Sequence, residues 1–286
     1  MKLVTYNIQY GTGRDEKFDL DRIAASLEGA DIIALQEVTR NFPRNGGVDL
    51  VAGLAKLLPD YFHVFGPGMD VHPGERDAAG RPANRRIQFG NMVLSRWPIV
   101  ATRNLLLPRT RRFDQSNLQR AALEALVVTP TGPVRIYSVH LDHVDGNERA
   151  LQIRHLKERV YAYQLDGGAV TGATEYGYPE LPCPEEFVIM GDFNMVRSSP
   201  EYSLMTGDNG HGDDHRHLAH HPVDVSRLAG GLPEGAVSWV YDGAPETNRL
   251  IDFAFIHAVL ANRVQRTWLD TDAMGSDHLP LWFELA

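Results

Sequence analysis

The sequence predicts one α/β domain with a large layered core, spanning residues 1–286. Three observations predict it. Short, strand-like apolar segments recur along the whole chain. Helical segments are interspersed among them, not segregated. No linker, repeat or low-complexity tract divides the sequence, and its 43% apolar and 23% charged residues sit close to ordinary globular usage.

"KLVTYNI" alternates and reads as a strand. "FDLDRIAASLEGAD" reads as a helix, with Asp19 or Asp21 as cap and Gly29 as stop. "DIIALQE" is a short apolar run of strand type, and "VDLVAGLAKLLP" is a second helix, ended by Pro59. Strands are expected at 61–65, 87–94, 99–107, 121–128 and 133–141. "GNERALQIRHLKERVYAYQ" reads as a helix capped by Asn147, with Ala150, Ile153, Leu156 and Val160 in one stripe. Later strands are "EFVIMGD", "AVSWVY", "LIDFAFI", residues 263–270 and "LPLWFEL". The stretches 66–86 and 166–186, rich in Gly, Pro and charge, read as long loops of the kind that often carry function.

Gross composition narrows the function. The single cysteine, Cys183, excludes an internal disulfide, and its setting "ELPCPEE" offers no base to activate a thiol. No leader pattern and no run of about 18 apolar residues is present, so a cytoplasmic protein without membrane insertion is expected. A net charge of −9 argues against a general nucleic-acid binder. The charge is uneven, however. Residues 76–120 hold ten Arg, no Lys and two acids, a local +8 that leaves −17 for the rest. Such a belt faces a phosphate substrate or is a solvated loop; guanidinium matches phosphate in bidentate fashion.

The chemistry lies where polar residues interrupt or end apolar strands. "SVHLDH" places His140, Asp142 and His143 where a strand should stop. Asn7 ends "LVTYN", Glu37 ends "IIALQE", Asp192 and Asn194 follow "FVIMG", Asp252 sits in "LIDFAFI", and Asp277 and His278 precede "LPLWF". Strand ends that carry so many carboxylates, amides and imidazoles are expected to converge on one polar site. Four carboxylates could not crowd together uncompensated. Oxygen donors without thiolate suit Mg²⁺, Mn²⁺ or Ca²⁺ better than zinc. Two imidazoles supply general-base and phosphate-stabilising groups. Neither a Gly-x-Ser-x-Gly elbow nor a Gly-x-x-x-x-Gly-Lys-Ser/Thr loop occurs.

In order, "TYNI", "LQE", "GNMVLSRWPI", "QRAAL", "SVHLD", "GDFN", "LIDFAFI" and "SDHLPL" resemble the endonuclease/exonuclease/phosphatase superfamily, the deoxyribonuclease I-like fold, from Asn7 to His278. The resemblance implies a four-layer α/β sandwich, two mixed β-sheets packed face to face with helices outside and the site at one edge. It implies that Asn7, Glu37 and Asp277 form the metal site, with Glu37 the most direct ligand. Asp252 and His278 are then an Asp–His pair whose His acts as general base on water. Asp192 and Asn194 position the water and the scissile phosphate. His140 is a phosphate ligand or proton donor, and Arg120 reaches the phosphate. Gln9 stands where the abasic-site branch carries an acid.

The resulting expectation is a monomeric, Mg²⁺- or Mn²⁺-dependent phosphodiesterase. A small or phospholipid-type substrate is favoured over DNA or RNA, because the acidic remainder of the chain would repel a long polyanion. A non-catalytic binding module is disfavoured, since every chemical position is filled. "RNLLLPR", 103–109, is the one candidate lipid-facing run, which a buried strand explains equally well. Asp142 and His143 are either supports of the site or loop residues. The five histidines of His211–His221 read as an exposed loop more than a second metal site, and Trp239 as core more than a substrate platform.

Overall fold

The computed structural model describes residues 1–207, 220–228 and 230–286. Its strands are β1 (Lys2–Asn7), β2 (Ile32–Arg40), β3 (Phe62–Val71), β4 (Ile87–Ser95), β5 (Ile99–Leu106), β6 (Ala121–Thr129), β7 (Gly132–His140), β8 (Phe187–Asp192), β9 (Val223–Asp224), β10 (Asp252–Ile256), β11 (Val264–Leu269) and β12 (Leu281–Leu285). The α-helices are α1 (Leu20–Ala25), α2 (Leu50–Leu57), α3 (Gly146–Tyr161), α4 (Tyr163–Asp166) and α5 (Pro200–Thr206). Two six-stranded sheets form, in the orders β11-β12-β1-β2-β4-β3 and β5-β6-β7-β8-β10-β9. Each contains one parallel pair, β1 with β2 and β7 with β8, and is otherwise antiparallel. The parallel pairs are joined through α1 and α3, as parallel strands require a crossover.

The central strands are buried on both faces, which explains their continuous apolar runs. Leu3, Ile32, Ala34 and Val93 of the first sheet meet Leu123, Ile136, Met190 and Ala254 of the second in the core between them. Val4, Tyr6, Ile33 and Leu35 point the other way, onto Ile23 of α1 and Leu50 and Leu54 of α2. On the far side Tyr137, Val139, Ile189 and Phe253 pack on Ile153, Leu156 and Val160 of α3 and Tyr202 and Met205 of α5. The result is the four-layer α/β sandwich expected from the sequence. Among the described residues no helix is long and apolar enough to cross a membrane.

Local differences have physical causes. β3 runs on to Val71, because Gly66 and Gly90 are there to let two backbones touch. A Cβ on Gly90 would lie 2.2 Å from the Gly66 carbonyl oxygen. Residues 236–241 form no strand, only isolated bridges from Trp239 to Arg249 and His278. α3 is capped by the Asp145 side chain, which accepts from Asn147 N, so Asn147 is not the cap. α1 is capped by Asp19 as read. The short α5, capped by Ser199 with Pro200 in its first turn, had no apolar repeat to announce it. "RNLLLPR" enters the alternating edge strand β5, which ends at Leu106 facing out, and Leu107 just beyond it is buried.

Candidate active site

Strand register gathers the polar strand ends. Asn7 pairs with Gln36, His140 with Asp192, and Asp192 with Asp252, so β1, β2, β7, β8 and β10 present these groups at one edge of the sandwich. Glu37 sits in a register shift between Leu35 and Val38 with φ of 59°, and Asn194 has φ of 49°. Non-glycine residues rarely adopt such angles, which cluster at functional sites. In "GDFN", Gly191 is sterically required, since a Cβ there would lie 1.9 Å from the Val139 carbonyl oxygen.

The acidic half of the site is tightly bonded. Asn7 Nδ2 donates to Glu37 Oε1 (3.3 Å) and Asp192 Oδ2 (3.0 Å), while its Oδ1 accepts from Gln9 N. Asp192 Oδ1 accepts from Asn194 N, and Asn194 Nδ2 donates to the Leu141 carbonyl. His278 Nδ1 donates to Asp252 Oδ2 at 2.8 Å, and its Nε2 lies 3.7 Å from Asp192 Oδ2. Burial alone would push the His278 imidazole down, but the Asp252, Asp192 and Asp277 charges raise it to about 10. Burial and the Asp277 charge raise the Glu37 carboxyl to about 7. Burial and Asp252 also raise Asp192, while His278 holds it down.

The basic half is built differently. Arg120, just before β6, is 5% exposed and forms no ion pair among the described residues. Its Nη1 donates to His140 Nε2 and its Nη2 to His143 Nδ1, both at 2.9 Å, while the buried Nε has no partner among the described residues. Burial and the Arg120 charge push both imidazoles down, His140 strongly. A buried guanidinium without a carboxylate is costly unless an anion completes it.

Sequence reasoning missed several supports. Ser238 Oγ donates to Asp252 Oδ2 at 2.6 Å and accepts from Ile251 N and Asp252 N. Trp239 is not core: it is half-buried, its Nε1 donates to Asp277 Oδ2 at 3.1 Å, and it stacks on the exposed Tyr241. Beneath the site, Gln36 Nε2 donates to Ser138 Oγ, and Asn91 Nδ2 donates to the Ala121 and Ser138 carbonyls, tying one sheet to the other. Uncharged polar residues inside apolar strands were the available signal.

The endonuclease/exonuclease/phosphatase family model matches residues 4–278. The chain belongs to the endonuclease/exonuclease/phosphatase family. No curated protein matches it. Among solved structures it is similar to a family protein from Beutenbergia cavernae, at 20% identity and a TM-score of 0.65 over 99% of this chain and 70% of that one. A Bacteroides vulgatus family protein matches at 19% identity and a TM-score of 0.65, covering 100% and 98% of the two chains. A Bacteroides thetaiotaomicron mannosyl-6-phosphatase matches at 17% identity and a TM-score of 0.64, covering 100% and 99%. These likenesses establish the family fold, and the family's enzymes hydrolyse phosphoesters.

For a family enzyme the donor set is apt. Glu37, Asp277 and the Asn7 amide are oxygen donors, and the elevation of the Glu37 carboxyl by burial and by the Asp277 charge marks a place where a cation would relieve repulsion. Among the described residues no three His, Cys, Asp or Glu side chains form a metal cage. One or two carboxylates plus water is the ordinary Mg²⁺ arrangement. The arginine belt is split. Residues 72–86 and 107–120 hang from the β3–β4 and β5–β6 ends at the site edge. Arg96 lies at the opposite edge beside Asp31, and Arg103 is held by Glu124. Arg85 and Arg86 pair with Glu75 and Asp70, and Arg112 with Asp114 and Asp145. Most of the histidines of His211–His221 lie outside the described residues; of the two described, His221 Nδ1 accepts from Lys157 Nζ.

Proposed function

We propose that the protein is a Mg²⁺- or Mn²⁺-dependent hydrolase of a small phosphodiester. The observation that carries this reading is the buried Arg120, held by His140 and His143 without a carboxylate partner among the described residues, opposite a carboxylate cluster. Such a site has one end complementary to phosphoryl oxygens and one to a cation. The cation, held at Glu37 and Asp277 with Asn7 beside them, would supply positive charge against the developing phosphorane charge and would lower the His278 imidazole into the range of a base. Arg120 and His140 hold the phosphoryl oxygens, and Asn194, donating to the Leu141 carbonyl, fixes the turn that follows His140. His278, oriented through Nδ1 by Asp252, accepts a proton from water at Nε2, with Asp192 orienting that water.

The edge-strand character of 103–106, with Leu107 beyond it buried, favours a soluble phosphodiester over a lipid. A nuclease reading rests on one observation: Arg76, Arg109 and Arg111, in the loops at the site edge, make no ion pair among the described residues. The mannosyl-6-phosphatase neighbour adds phosphomonoesters to the field. A panel with Mg²⁺ or Mn²⁺ tests the proposal: a chromogenic bis-aryl phosphate, an aryl phosphate and sugar phosphates, sphingomyelin, and plasmid DNA. Turnover of the bis-aryl phosphate above the rest, abolished by chelator, is expected. Preference for a monoester or for DNA overturns the substrate assignment, and full activity in chelator overturns the metal.

A further inference from the structure

Arg120 is gripped from two sides, and only one of its partners belongs to the phosphate seat proposed above. We propose that His143 is a positioning residue, fixing the guanidinium plane of Arg120 so that its free N–H groups face the phosphoryl oxygens. The inference rests on the reading that Arg120 seats the phosphate.

Arginine offers five donors and no acceptor, so His140 Nε2 and His143 Nδ1 both accept from it. One bond would leave the guanidinium free to turn about that contact. Bonds to Nη1 and Nη2 together fix both its plane and its rotation, leaving the buried Nε without a partner among the described residues. His143 can serve as an anchor because its own loop is rigidly built. Asp142 is fully buried, and its Oδ2 accepts from Val144 N and Asp145 N at 2.9 and 2.6 Å. Gln152 Oε1 accepts from Asp142 N, and Arg149 Nη1 donates to the Asp142 carbonyl, so α3 holds the turn from behind. "LDHVDG" is thus a bracket: Asp142 makes the turn, and His143 is the contact it delivers. The side chain of His143 is 51% exposed, more than a packing role would need.

The test measures inorganic phosphate binding by calorimetry and bis-aryl phosphate kinetics for Arg120→Ala, His143→Ala, His143→Asn and the double alanine variant. Asn places its Oδ1 near the position of a histidine Nδ1 and restores the acceptor without the ring. Losing one charge-assisted hydrogen bond should weaken phosphate binding by about 10-fold in His143→Ala, raise KM with a smaller change in kcat, and be largely recovered in His143→Asn. The double variant should bind phosphate no worse than Arg120→Ala, as coupled residues do. Losses that multiply, failure of Asn to rescue, or an unaltered His143→Ala each overturn the positioning role while Arg120→Ala still weakens binding. If Arg120→Ala binds phosphate as the wild type does, the phosphate seat itself is wrong, and this inference falls with it.

Discussion

Replacing Asp252 by Asn removes one charge from the site while keeping its shape. The Asn oxygen still accepts from Ser238 Oγ and from His278 Nδ1, which are 2.6 and 2.8 Å from Asp252 Oδ2. At that 2.8 Å separation and an effective dielectric of 20, the pair is worth about 6 kcal/mol, roughly four pKa units, before burial offsets it. Asp192, 3.7 Å from Nε2, continues to raise the imidazole. The His278 pKa of about 10 should therefore fall by at least ~2 units. NMR titration of metal-free, ¹³C-histidine-labelled protein reads it directly. Because the folded pKa lies above the unfolded ~6.5, the pair's stabilisation is complete below that pH and lost as pH rises through about 10. Wild-type protein should melt lower at pH 10 than at pH 7, and Asp252→Asn should flatten that slope. Turnover should drop by roughly 10²- to 10⁴-fold. A pKa change below about half a unit would refute the premise that Asp252 acts through its charge.

Glu37 has the same sign in a lower window and from burial instead of pairing: its raised pKa means that the metal-free protein loses stability as pH climbs from about 4.5 to about 7, and Glu37→Gln should remove that loss. At pH 8, added Mg²⁺ should raise the melting temperature of the wild type and not of Glu37→Gln; equal shifts in both would displace the metal from this residue. Gly191→Ala should destabilise by roughly 3 kcal/mol or abolish folding, read as the urea midpoint, because the new methyl meets the Val139 backbone. If DNA is cleaved at all, Arg109→Ala/Arg111→Ala should reduce the steepness of its salt dependence, whereas turnover of a bis-aryl phosphate should change by less than about twofold.

The sandwich was legible because burial on both faces gives its strands unbroken apolar runs, and the helices between them have caps. The site was legible where a polar residue terminates such a run, as Asn7, His140 and Asp192 do. What escaped depends on contacts distant in sequence. Gln36 and Ser138 are 102 residues apart, and each alone resembles an ordinary polar interruption. Ser238 acts from a segment that was read as a strand and is held open by its own bonds to Ile251 and Asp252. Gly66 falls in a stretch that reads as a loop, and it serves close backbone approach to Gly90 of the neighbouring strand. The arginine belt was a sum over linear sequence, which cannot tell that Arg96 and Arg103 belong elsewhere.

The two sheets meet at the site as two plates of a clamp. Asn7 and Glu37 ride on one, His140, Asp192 and Asp252 on the other, and the apolar filling between them is free to slip in a way that directional bonds are not. The bonds from Gln36 to Ser138 and from Asn91 to the Ala121 and Ser138 carbonyls therefore work as dowels that hold the plates in registration. A slide of about 1 Å would cost on the order of 10²-fold in rate while leaving both plates intact. Ser138→Ala should thus yield a protein that is folded, with undisturbed phosphate contacts, and slow, and urea should silence it well before it melts the sheets.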